Sequence, residues 1–107
     1  MDKETVLVII QDFIESLQDK GIKIDMLILY GSYAKMNYHE GSDIDLVVVS
    51  QSFREKSFWE RLDILADVIY ELFQPIEAVA ITPEEWEEKK SFVVDYASEG
   101  EIIYKAS

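Results

Sequence analysis

Two aspartates two residues apart, Asp43 and Asp45, are the side chains here best suited to chemistry. They straddle the start of an apolar run, Ile44 to Ser50, that reads as a strand. Strand side chains alternate, so residues two apart face the same way, roughly 7 Å from one another. Both carboxylates then converge on one place, where their mutual repulsion calls for a cation between them. An oxygen-only set of this kind suits magnesium, which takes a few carboxylates and keeps room for phosphate oxygens. The plain alternative is a polar strand entry. Against it, Ile44 and Leu46 alternate with the aspartates and would take the core side.

Upstream stands Gly31-Ser32, separated from Asp43 by ten residues. It follows the apolar segment ending at Tyr30 and opens a turn into a short helix expected from Ser32. Glycine lets the backbone approach an anion, and a helix start offers free N–H groups to phosphate. Serine as an ordinary helix cap is the competing reading. Lys35, one turn on, supplies a cation for a phosphate or is a surface lysine. Glu77 lies inside IEAVAI, where a carboxylate among apolar residues needs a reason. Either it points to solvent from a sheet edge, or it joins Asp43 and Asp45 as a third ligand or as the base that accepts a proton.

These residues must be held by regular elements. Residues 3–19 carry Val6, Ile9, Ile10, Phe13 and Leu17 at helical spacing, with Gly21 as the stop. Residues 24–30 and 44–50 read as buried strands. Residues 57–73 form a helix with Phe58, Leu62, Leu65, Ile69 and Leu72 on one stripe, opened by a Ser57/Glu60 capping box and closed before Pro75. Residues 76–81 form a third strand. Thr82, Pro83 and Glu85 start a helix running to about Lys90, followed by another to Ser98; Gly100 breaks it and EIIY is a last strand. Such an order gives a sheet with helices packed against it and leaves the strand order open.

Some residues are better read as scaffold. His39, beside Glu40 and Gly41, is a solvated loop residue. Trp59 and Trp86 are packing residues. Tyr33 and Tyr38 either stack on a base or cover the loop. The run Glu84, Glu85, Glu87, Glu88, Lys89, Lys90 is a solvated helix face.

Composition narrows the class. The chain has 107 residues, with 22 acidic and 10 basic side chains and a net charge of −12, and reads as one domain over residues 1–107. Direct nucleic-acid binding is not expected, because a phosphate array is met with a basic stripe. No cysteine is present, which excludes disulfides and thiolate metal sites. No apolar run reaches the roughly 20 residues of a membrane span, and the N-terminus does not read as a signal peptide; a cytoplasmic protein is expected.

Taken together, GSYAK and GSDIDLVVV resemble the signature of the DNA polymerase beta-like nucleotidyltransferases, and within them the minimal nucleotidyltransferase (MNT) family. IEAVAITPEEW and ASEGEIIY resemble that family's later segments. The resemblance implies an α/β (α+β) fold, a mixed β-sheet flanked by helices. It implies metal ligation by Asp43, Asp45 and Glu77, with catalysis by the same three. It implies nucleotide phosphate contacts from Gly31 and Ser32, with Lys35 nearby. The implied cofactor is Mg²⁺ at a two-metal site, and the implied substrate is ATP. It further implies an antitoxin that transfers AMP to a tyrosine of a HEPN-domain RNase toxin. The other reading is a catalytically weak module that neutralises its partner by docking. Two departures bear on that choice: Met36 stands where the family often has glycine, and the third acid is Glu77 where Asp is usual.

Overall fold

The computed structural model describes residues 1–39, 41–89 and 92–106, and for residues 92, 93 and 96 the backbone alone. The helix end expected at Lys90 therefore lies outside the described residues.

Helix α1 (Lys3–Asp19) starts where the Asp2 side chain accepts from the Thr5 N–H at 2.8 Å. It buries Val6, Ile9, Ile10, Phe13, Ile14 and Leu17, the face its spacing anticipates. Strand β1 (Met26–Tyr30) leads directly into the single-turn helix α2 (Gly31–Ala34), which starts one residue before the expected Ser32. Strand β2 (Ile44–Val49) follows, then a 3₁₀ turn at Gln51–Phe53. Helix α3 (Phe58–Leu72) carries the anticipated capping box, with Ser57 and Glu60 bonded reciprocally. After β3 (Ile76–Ile81), Thr82 and Glu85 cap α4 (Pro83–Glu88) in the same way. Helix α5 (Phe92–Ala97) and strand β4 (Glu101–Lys105) complete the order.

The sheet runs β3-β2-β1-β4. β2 and β3 are parallel; β1 is antiparallel to both β2 and β4, so the sheet is mixed. One face carries Leu27, Leu29, Ile44, Leu46 and Val48 against α1 and α3, which is the main core. The opposite face carries Ile28, Val47, Val49 and Ile81 under Val94 and Ala97 of α5, with Trp86 packed alongside. Asp45 belongs to this second face by alternation with Val47 and Val49.

Helix α3 departs from its expected packing. Leu65 and Val68 are the residues it buries, while Phe58 is 68% and Leu62 42% exposed. The helical stripe is real, but α3 is rotated so that only one flank meets the sheet. Trp59, expected to pack, is 70% exposed. The acidic stretch on α4 is exposed as expected, with Glu84 bridging Arg54 and Glu85 bridging Arg61. No described helix is long and apolar enough to cross a membrane.

Candidate active site

Asp45 and Glu77 occupy matching register positions on the parallel strands β2 and β3. Each side chain lies on the same face as its strand's next-but-one neighbour, so the pair leads the apolar pairs Val47–Val79 and Val49–Ile81. Tyr30, the last residue of β1, is opposite Asp45 on the other side. Asp43 precedes β2 and is exposed; Glu77 is exposed on the edge strand, and Asp45 between them is half-buried. The two readings of Glu77 therefore coincide: it is on an edge, and it is beside Asp45.

The electrostatics are those of crowded acids. The Asp45 carboxyl is pushed up to about 6, first by burial, then by the Glu77 charge, by a hydrogen bond with Glu77, and by the Asp43 charge. Asp45 is the point at which all three acids meet electrostatically. The donor set fits magnesium in kind, being carboxylate oxygen throughout. In number it is incomplete: among the described residues, no group of three or more His, Cys, Asp or Glu is gathered closely enough to hold a metal ion.

Gly31 has two reasons to be glycine. Its φ is +73°, in the left-handed region that L side chains disfavour. A Cβ there would also run into the Asp45 carboxylate. The strand-to-helix turn thus presses backbone against the Asp45 side chain. Ser32 is half-buried in α2, and its carbonyl accepts from the Asn37 N–H at 3.1 Å. It does not cap the helix; the cap position is Tyr30, with no side-chain bond. Lys35 closes α2 through its N–H to the Gly31 carbonyl at 3.1 Å, and its side chain is exposed.

Three features near the site escape a reading of the sequence or are settled only by the structure. Ser42 is buried, and its hydroxyl accepts from the His39 N–H at 3.0 Å while its own N–H donates to the His39 carbonyl at 3.0 Å. That clasp sets the chain just before Asp43; the Gly-Ser-Asp turn chemistry was its only signal. Tyr33 is buried and stacks on Tyr38, with ring centroids 4.5 Å apart, so it supports the loop. Burial, with Tyr38 and the Asp43 charge behind it, raises the Tyr33 phenol's pKa. Met36 has φ +60°, a conformation in which glycine is favoured. His39 is exposed, as expected.

A family model described as "Polymerase beta, Nucleotidyltransferase" matches residues 11–107. Among curated proteins none matches the chain significantly. Among solved structures, a Sulfolobus solfataricus protein described as a nucleotidyltransferase superposes with TM-score 0.74 at 15% identity, over 96% of this chain and 83% of its own. A toxin–antitoxin structure with AMP-PNP aligns at TM-score 0.64 and 20% identity, over 91% of this chain and 73% of that one. A complex of tri-AMPylated Shewanella oneidensis HEPN toxin with MNT antitoxin aligns at TM-score 0.59 and 18% identity, over 92% and 71%. At such identities the likeness is one of fold.

Proposed function

The chain belongs to the polymerase beta nucleotidyltransferase family, and on that premise we propose that it transfers AMP from ATP to a tyrosine hydroxyl of a partner HEPN-domain RNase, acting as its antitoxin. The observation that carries the reading is the Asp45–Glu77 pair with Asp43 beside it, a concentration of negative charge that raises the Asp45 carboxyl to about 6. Acids crowded in this way are built to receive a cation.

In this reading Asp43, Asp45 and Glu77, which are not gathered into a three-carboxylate cluster on their own, would hold magnesium together with the substrate's phosphate oxygens. When bound, the ion neutralises the triphosphate and stabilises the pyrophosphate that leaves. The Gly31–Ser32 backbone lies against the phosphates, and Lys35 adds a positive charge. The acceptor oxygen forms a bond to the α-phosphorus while the bond from that phosphorus to the bridging oxygen breaks. Pyrophosphate departs with that electron pair, and the acceptor's proton passes to Glu77. Positioning and charge neutralisation are most of what such a transfer requires. The setting is the cytoplasm, where ATP is available.

Met36 supports a second reading. Its left-handed backbone in the loop after Gly31-Ser32 suits glycine, and a stiffer loop there favours a weak transferase that acts by docking. Intact-mass spectrometry separates the two. The HEPN-domain protein of the same genome is incubated with this chain, ATP and magnesium, beside an Asp43→Asn, Asp45→Asn variant. Mass gains of AMP units only with the unmutated chain are expected; a stable complex without any gain would overturn transfer in favour of docking.

A further inference from the structure

We propose that the exposed aromatic face of α3 is the docking surface for the acceptor protein, and that the groove beside it leads the acceptor hydroxyl to Asp45 and Glu77. The inference rests on the transfer reading above and adds where the partner sits. Phe58, Trp59, Tyr70 and Phe73 are 68%, 70%, 82% and 90% exposed. At 100° per residue Phe58, Trp59 and Tyr70 fall within about 120° of one another around the helix, and Phe73 is its left-handed C-cap. Phe58 and Trp59 already pack edge to face, with centroids 5.2 Å apart. Three large exposed rings on one side of α3, with a fourth at its cap, exceed the scattered apolar residues normal for a surface. Rings of this type anchor protein interfaces.

This face adjoins the site. Two cavities of about 580 and 570 Å³ share Leu62, Leu65, Ala78 and Val79, and so form one groove between α3 and β3. The groove's far end is lined by Tyr30, Tyr70 and Glu77. Tyr30 is the cross-strand neighbour of Asp45, and Glu77 is its register partner on β3. Glu77 and Asp45 lie on the sheet's other face, so a protein seated on the rings reaches them around the β3 edge, where Glu77 lines the groove.

Charge identifies the occupant. Asp63 and Asp67 are exposed and continue the i, i+4 row that starts at Trp59. On the groove side stand Glu77 and Glu85, and Arg61 is already bridged to Glu85 at 2.7 Å. A second copy of a chain with net charge −12 would bring acids against acids. A partner with an apolar patch flanked by lysine and arginine fits both the rings and their rim.

The test titrates the HEPN-domain protein of the same genome against the full chain and two double variants, Trp59→Ala/Tyr70→Ala and Asp63→Lys/Asp67→Lys. Each double variant should weaken binding about tenfold or more. In the transfer assay the KM for the acceptor should rise for both variants, with kcat at saturating acceptor unchanged in Asp63→Lys/Asp67→Lys. Thermal melts should stay unchanged, because these side chains are exposed, and ATP binding without acceptor should also be unchanged. Binding within twofold of the unmutated chain for both variants would overturn the proposal. So would no binding by the unmutated chain, or a homodimer that Trp59→Ala/Tyr70→Ala dissociates. A complex that depends on α3 but gains no nucleotide would overturn the groove's delivery role and the transfer reading, and leave the docking face standing.

Discussion

Asp25 and Asp45 are two half-buried aspartates at opposite ends of the same antiparallel strand pair. Asp25 is surrounded by donors. Its carboxylate accepts from the Gln51 N–H at 2.7 Å and from the Gln51 amide at 3.4 Å, and the Arg54 guanidinium is within electrostatic reach. Its backbone is tied to Val49 and Ala106 at 2.8 and 2.9 Å. Asp45 feels acids instead: Glu77 is its register partner on β3, and Asp43 precedes it by two residues. One carboxylate is satisfied by its own fold; the other is held in a place where its charge opposes folding. A charge kept against stability makes Asp45 a candidate for a functional role.

Substitution should therefore separate the two ends. Asp45→Asn is expected to lower nucleotide transfer about 10²- to 10⁴-fold. Asp25→Ala should leave transfer by the folded protein within about threefold, as it lies at the far end of the sheet. Initial rates of pyrophosphate release at saturating ATP check both. Equal losses would collapse the distinction.

Gly31 sharpens the contrast, because it ties the turn to the acid. Gly31→Ala meets both a left-handed φ and the Asp45 carboxylate. We expect a destabilisation of about 2–3 kcal/mol. In Asp45→Ala background the cost should fall toward the backbone share alone, about 1 kcal/mol. Urea denaturation of the four proteins gives the coupling; additive costs would mean that the two residues do not interact.

Protonation probes the same difference. The folded Asp45 carboxyl sits at about 6 against an ordinary 3.8. Between about pH 4 and 6 the folded state thus holds more proton than the unfolded one, and stability from this group falls as pH rises. The carboxyls of Asp2, Glu60, Glu84 and Glu85 are lowered, so they work in the opposite sense. Subtraction isolates Asp45. The Tm of Asp45→Asn minus that of the unmutated chain should grow from pH 4 to 6 and then level off. After allowing for the solvent that still reaches the group, the gain should be about 1–2 kcal/mol. Added magnesium should raise the Tm of the unmutated chain above pH 6 and that of the variant less. Asp25→Ala should do the reverse of Asp45→Asn, losing about 1–2 kcal/mol, because the Gln51 N–H is left without its acceptor.

The sequence shows one of these aspartates far more readily than the other. Asp43 and Asp45 declare themselves by period-two spacing at a strand start, and Glu77 by its apolar surroundings. The capping boxes at Ser57 and Thr82 are local, so they too are legible. Asp25 takes its partner from 26 residues away, which no local pattern reveals. The pairing of Asp45 with Glu77 depends on β3 running parallel beside β2, and the sequence left strand order open. Periodicity found the apolar stripe of α3 but not its phase against the sheet. A stripe records which residues are alike, and only the neighbour decides which of them it covers; so Phe58 and Trp59 came out exposed.

Met36 yields the smallest effect and bears on the loop beside Asp45. It is 61% exposed and holds φ +60°. An L side chain in that region is disfavoured by roughly 1 kcal/mol, and Met36 has little packing to lose. Met36→Gly should therefore stabilise the folded chain by about 0.5 kcal/mol, the relief being partly offset by the greater freedom of glycine when unfolded. If the loop's stiffness limits transfer, Met36→Gly should also raise kcat, and the docking reading loses its support. If Tm rises while kcat does not, the loop is a matter of stability alone, and the acids at Asp45 are left to account for the rate.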